Sequence, residues 1–426
     1  MTLPNSLRLS PTKAVATLLL VFLFVQIPLT QNTDDKTHIN VYHILLLTLP
    51  FLYIPSLKHF RVNTATIFIV ILTLTTIFAA PAYGAGLRST QLVFVLMAFF
   101  MGSMYGRKFE DQDWTKIFSI VFVCTVIFVI LRDIAFAGQL AAIYTRTGYA
   151  ENMLYLSTGG RNIEASLLVM LSILLLGTRL YFPSIMLALL TSGMMQSRAG
   201  LIGTAISLWI FLWRTRKSKL YYLNLALGMA LLVLMAALIF TSVVDIPVLD
   251  RFNLKSETAL EENGVGRLAL WHYAGVALHK NLLGYGIGNG VPVMEKLSGI
   301  AFVENNVHNV YLQFLLEGGV QSLVAYLIMI GAILAKRATT RIQRNIKAYL
   351  LCYLVLSTIQ FNGSEAYLWF FIGAFFAFPK RAAEEALDAP VADGRRRLPA
   401  SQAPPLAYRD DGSSGRSTLI QPREPR

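Results

Sequence analysis

Hydrophobic positions recur along this chain in long uninterrupted runs. They cover approximately 14–30, 41–57, 64–80, 91–105, 115–131, 163–178, 180–195, 199–213, 221–241, 309–335, 346–360 and 365–379. Runs of this length and recurrence predict an all-α, polytopic integral membrane protein with about twelve transmembrane helices. Several runs hold only 15 or 16 residues, at or below the lower limit of a span, so their flanks have to contribute. In the run at 309–335, Gly318 and Gly319 interrupt the apolar stretch. That predicts either one kinked helix or a short interfacial helix followed by the span proper. A 67-residue segment, 242–308, separates the ninth and tenth runs. It is expected to be a large loop carrying short helices, a small cap inserted within a transmembrane domain of residues 1–381. After Arg381 the chain is rich in Ala, Pro, Arg, Gly and Ser, and residues 382–426 are expected to form a disordered cytoplasmic tail.

Composition sharpens this picture. Of 426 residues, 55% are hydrophobic and only 14% charged, against roughly 25% charged in an ordinary soluble domain. A soluble globular enzyme, a secreted disulfide scaffold and a disordered interaction protein are thereby excluded. The two cysteines, Cys124 and Cys352, both fall inside apolar runs, so no disulfide framework and no cysteine metal pattern is expected. The net charge of +13 would favour a nucleic-acid partner in a soluble protein. An even number of spans, however, puts both termini on one side. With that side cytoplasmic, nineteen Lys and Arg fall on inner segments and six on short outer ones. The basic surplus then reads as a positive-inside signal, and the nucleic-acid reading loses its support.

On this topology the polar detail gathers at the outer face. His308-Asn309 opens the apolar run that contains Glu317-Gly318-Gly319. A histidine entering a helix there is suited to act as a surface base, since its ordinary pKa lies near neutrality; an interfacial helix cap is the equally weighted plain reading. Arg198 lies in Gln196-Ser197-Arg198-Ala199-Gly200, a tight turn between two short runs. A guanidinium there is costly and usually paired, and its planar fork matches phosphate oxygens. Gly264 to His272, with Arg267, reads as a turn entering a helix. Gly284, Gly286, Gly288 and Gly290 follow, but no Walker pattern accompanies them, so tight packing is favoured over nucleotide binding. Trp271 and Tyr285 read as interface anchors, and Glu164 and Glu365 as acids at helix starts. Glu317 is nine residues beyond His308, too far along one helix to meet it, and reads as a structural group beside the glycine pair. Neither a His-Glu-x-x-His pattern nor an Asp-x-Asp pair occurs, so no catalytic divalent metal is expected.

Arg198 after a short apolar run, Arg267 leading into His279–Gly288, and His308-Asn309 opening a Leu-rich helix with Glu317-Gly318 together resemble the bacterial O-antigen ligase and polymerase superfamily. The resemblance covers about residues 60–380 and is strongest over Met195–Gly319. It implies an enzyme of the bacterial inner membrane, multi-pass, with both termini cytoplasmic and its active site facing the periplasm. The implied reaction is transfer of a glycan from an undecaprenyl-diphosphate-linked O-antigen donor to lipid A–core, by metal-independent inverting displacement and without ATP. Arg198 and Arg267 would bind and neutralise the diphosphate, and His308 would act at the acceptor hydroxyl as base or positioning group. Arg88, Arg146 and Arg161 are secondary candidates for phosphate or sugar contacts. His272 and Asn309 join them as weaker candidates from their place in the same segments. The position of the large loop favours the ligase branch. A polymerase with the same donor is the runner-up, and a lipid or polysaccharide transporter is the alternative of another class.

Overall fold

The structure, a computed structural model, describes residues 10–29, 39–53, 62–83, 90–140, 154–157, 160–195, 197–216, 221–223, 225–226, 228, 230, 266–302 and 306–379. All of them belong to one compact unit, Met1–Pro379. The predicted tail, most of the run at 221–241 and residues 242–265 of the predicted loop lie outside the described residues.

The helices used below are α1 (Pro11–Phe24), α2 (Val41–Thr48), α3 (Thr64–Tyr83), α4 (Gln91–Lys108), α5 (Asp111–Ala135), α6 (Arg161–Leu174), α7 (Tyr181–Met194), α8 (Arg198–Thr215), α9 (Gly266–Lys280), α10 (Gly290–Ser298), α11 (Val310–Ala335), α12 (Arg341–Leu356) and α13 (Ala366–Ala377). The all-α character agrees with the apolar runs. Among the described residues the strand geometry is confined to an isolated bridge between Pro28 and Asn40.

The span count does not agree. Among the described residues, two helices are long and apolar enough to cross a membrane, Asp111–Ala135 and Val310–Ala335. This overturns the expectation of about twelve transmembrane helices. With it falls the multi-pass inner-membrane placement with cytoplasmic termini and a periplasm-facing site. The physical reason lies in helix length. Helices α6 and α7 have 14 residues each, about 21 Å at 1.5 Å per residue, against roughly 30 Å of bilayer hydrocarbon. Helix α6 is apolar over much of its length because other helices cover it; Leu167 to Leu171 and Ile173 to Leu176 are all buried. A helix buried on every side is hydrophobic on every side whatever surrounds the protein.

Close helix contacts are made at small residues. Helices α4 and α13 run side by side with backbones touching: a Cβ on Gly102 would lie 1.9 Å from the Phe370 carbonyl oxygen. Helices α6 and α8 run parallel with α7 returning between them, and the Ser172 and Ser207 hydroxyls meet at 3.2 Å. Tyr181 donates to the Ser207 carbonyl at 3.2 Å.

Helix ends sort into two groups. At one end meet the starts of α1, α5 and α12 and the finishes of α4, α6, α8, α11 and α13. There Lys13 pairs with Asp113 at 2.5 Å, Arg214 donates to the Arg344 carbonyl at 2.6 Å and also to Asn345, and Asn345 donates to the carbonyls of Leu174 and Leu176. Lys336 donates to the Phe375 carbonyl at 2.7 Å, and Lys347 to that of Leu334 at 2.7 Å. The Lys336 and Lys347 ammonium groups on carbonyls left open at the ends of α13 and α11 satisfy those carbonyls and complement the helix dipoles. Two of the basic residues that the sequence presents as topology signals, Lys336 and Lys347, thus cap helices. At the opposite end are the starts of α4, α6, α8 and α13, the finishes of α5 and α12, and the entry to α11.

Candidate active site

His308 sits where the chain enters α11. Asn309 is the N-cap, its Oδ1 accepting the Leu312 N–H at 3.0 Å, which explains why a helix begins here. His308 itself has φ 52° and is the one non-glycine residue with positive φ among the described residues. A bulky side chain in that region is strained by about 1–3 kcal/mol and persists only where its surroundings fix it. They do so from every side. The Val307 N–H donates to Gln313 Oε1 at 3.0 Å, and the Val307 carbonyl accepts from the Trp271 indole N–H at 2.8 Å. The His308 N–H donates to Asn306 Oδ1 at 2.8 Å, and the Val310 N–H to the Ser357 carbonyl at 2.9 Å. The imidazole Nδ1 faces the Gln360 carbonyl at 3.3 Å. A carbonyl only accepts, so Nδ1 carries the ring proton in the neutral form and Nε2, which is buried, carries the lone pair.

Arg267 is half-buried near the start of α9, one helical turn before Trp271. Residues four apart share a helix face, so the indole that holds the peptide before His308 lies on the face that carries Arg267. Arg198 is the first residue of α8, whose cap Ser197 accepts the Gly200 N–H at 3.1 Å. Because Arg214 at the far end of α8 bonds the start of α12, α8 and α12 are antiparallel. Arg198 therefore lies toward the α12 terminus whose Ser357 carbonyl holds the entry to α11. Arg198 is half-buried, and that burial pushes its guanidinium pKa below the usual value. Arg161 begins α6 at the same end, but its side chain, like all of Arg88 and Arg146, lies outside the described residues. His272 is exposed on α9 with its ring 5.3 Å from that of Tyr273.

Helix α11 is broken at Gly319, with φ 75° and ψ −178°, a conformation open essentially to glycine alone. Its two arms fold against each other. The Tyr311 and Tyr326 rings are 5.7 Å apart and those of Phe314 and Tyr326 4.7 Å, whereas fifteen residues of straight helix span about 22 Å. The glycine-rich segment fills the break. Tyr285 and Gly286 donate to the carbonyls of Leu316 and Glu317 at 3.1 and 2.8 Å, and Val320 donates to that of Leu282 at 3.0 Å. Helices α9 and α10 pack on the first arm through Leu270, Ala274, Met294 and Leu316. These glycines serve packing, and Tyr285, buried with its hydroxyl on the Ala277 carbonyl at 2.7 Å, is an internal anchor rather than an interface one. Glu317 lines a small pocket with Gln91, Phe314, Asn362 and Ser364; neither arginine nor His308 lines it.

Other pairings were invisible in the sequence. Glu365 is more than a helix-start acid: it accepts from the Tyr353 hydroxyl at 2.5 Å and the Asn362 and Gly363 amides at 2.8 and 3.0 Å. Burial raises its pKa above the usual carboxylate value. Arg132, in the last turn of α5, donates from Nη1 to both oxygens of Glu164 at 2.6 Å. Both side chains are buried. Nothing in either residue's neighbourhood in the sequence announces that pairing, nor the role of Gln360 beside His308.

The fold defines an α-helical protein whose candidate polar groups stand at helix entries at one end. Residues 183–327 match a protein family described as O-antigen ligase. The match covers roughly a third of the chain and contains Arg198, Arg267 and His308; it supports the O-antigen ligase superfamily in general terms. No curated protein and no solved structure matches the chain.

Proposed function

We propose that this protein is a glycosyltransferase of the O-antigen ligase type, moving a glycan from an undecaprenyl-diphosphate carrier to a hydroxyl of lipid A–core. The observation that carries the reading is His308, held at positive φ with Nδ1 against a carbonyl, within the family-matched segment that also holds Arg198 and Arg267.

In this reading Nε2 takes the proton of the acceptor hydroxyl as its oxygen attacks the anomeric carbon. The bond from that carbon to the carrier diphosphate breaks, its electron pair leaves with the diphosphate, and single displacement inverts the centre. Arg198 and Arg267 meet the negative charge that grows on the leaving group. The glycan–diphosphate bond already stores the driving force, so the reaction proceeds without ATP and, with two cations on the phosphates, without a divalent metal.

The test is transfer by the purified chain in detergent, with polyprenyl-diphosphate glycan, lipid A–core, EDTA and no ATP, read as a mass shift of the acceptor. His308→Asn is the informative variant, because Asn tolerates positive φ and removes the base without adding strain. The expected result is acceptor modification that His308→Asn and Arg198→Ala abolish. Longer carrier-linked glycans in place of a modified acceptor would turn the assignment to a polymerase, and full activity in His308→Asn would remove His308 from the chemistry.

A further inference from the structure

Two unfavourable features converge on one peptide group. His308 is strained at φ 52°. Gln313, 1% exposed, commits its Oε1 to the Val307 N–H while its own Nε2 is buried with no partner among the described residues. A buried donor left unpaired destabilises a fold by about 1–3 kcal/mol. The amide cannot be turned over to relieve this, because Val307 N–H needs an acceptor and the NH2 group is none. On the other side of the same peptide, Trp271 reaches from α9 to the Val307 carbonyl, 36 residues away in sequence, at 2.8 Å. Gln313 thus satisfies the Val307 amide only by leaving its own donor unpaired, and the backbone at 308 stays strained. Uncompensated polar groups and off-region backbone dihedrals that meet at one point are characteristic of sites kept for function.

We infer that Trp271 and Gln313 are positioning residues, clamping the Val307 peptide from both sides so that the His308 imidazole stays oriented with Nδ1 on the Gln360 carbonyl and Nε2 toward the acceptor. This rests on the reading of His308 as the acceptor-side group. Neither residue touches a reacting atom. Their action is on the direction of a lone pair, and a displacement of about 1 Å in such a group lowers turnover about 100-fold.

The test uses the full chain with histidine labelled in 15N, the His308 signal being assigned by its absence in His308→Asn. Trp271→Phe keeps the ring in its apolar setting and removes the N–H; Gln313→Met keeps the volume and removes the acceptor. Each is expected to shift or broaden the His308 ring signals away from the single Nδ1–H form. Each should also lower kcat about 10- to 100-fold with donor KM within about twofold, and the variants should stay folded, with an unfolding midpoint lowered only by the one Val307 backbone group each leaves unpaired. An unchanged His308 signal in the folded variants overturns the clamp. So does a changed signal with unchanged turnover, and so does failure of both variants to fold, which would make the contacts purely structural. Absence of any transfer by the unaltered chain would remove the proposed reaction but not the clamp, which the ring signals decide independently.

Discussion

Replacing Glu164 by Leu strands a guanidinium. Arg132 is 4% exposed and Glu164 0%, and the contact of Arg132 Nη1 with both carboxylate oxygens at 2.6 Å is what makes the buried charge tolerable. Removing one partner of such a pair destabilises by about 3–5 kcal/mol. Asp133 stays within 2.8 Å of Arg132 Nε, so the lower figure applies, about 3 kcal/mol. Glu164 Oε2 also accepts the Leu156 N–H at 2.9 Å, and losing that acceptor adds about 1 kcal/mol. The single variant is thus expected to lose about 4 kcal/mol. Arg132→Met together with Glu164→Leu removes the stranded charge as well. It leaves the buried Leu156 amide unsatisfied, a loss of about 1 kcal/mol, and returns the partly exposed Asp133 carboxylate to solvent. Denaturant unfolding of the purified chain followed by circular dichroism measures both. The reasoning is refuted if the double variant is no more stable than Glu164→Leu.

Three further outcomes are expected. Gly319→Ala places a Cβ 2.4 Å from the Leu283 backbone in a backbone region that Ala avoids; it should lower the unfolding midpoint by more than an ordinary surface substitution does, and an unchanged midpoint would show that α11 needs no break. Arg198→Lys and Arg267→Lys keep the charge but lose the fork, so each should raise donor KM about tenfold, worth about 1.4 kcal/mol, with Coulombic attraction retained; unchanged KM in both would remove them from the diphosphate. Glu365 binds its proton more readily in the folded chain than in the unfolded one, because burial raises its pKa. Its contribution therefore falls as pH rises from the ordinary carboxylate range through the raised folded value, and Glu365→Gln should flatten that part of the stability-against-pH curve relative to the natural chain.

What the sequence made legible was local. Gly318-Gly319 announced a break in the run at 309–335, and the structure breaks α11 at Gly319. His308-Asn309 announced a helix entry, and Asn309 caps it. What depended on partners distant in sequence was not legible: the Trp271 and Gln360 contacts around His308, the contact of Arg132 with Glu164, and the lining of the pocket beside Glu317. The span count failed for a related reason. Hydrophobicity records that a residue avoids water, not what it meets instead, and Leu171 or Ile173 is satisfied by neighbouring helices. Likewise Lys336 and Lys347 look like topology markers in the sequence and are helix caps in the fold.

The pairing of residues 282–286 with 316–320 has a consequence for local opening. Three backbone hydrogen bonds join the two segments across the break in α11. None belongs to the repeating ladder of a helix, so none can be lost by simple fraying from a helix end. The amides of Tyr285, Gly286 and Val320 should therefore exchange with solvent deuterium at one common rate, as a single cooperative unit. That unit would also set how often the α11 arm bearing His308 swings away from the segment that holds it.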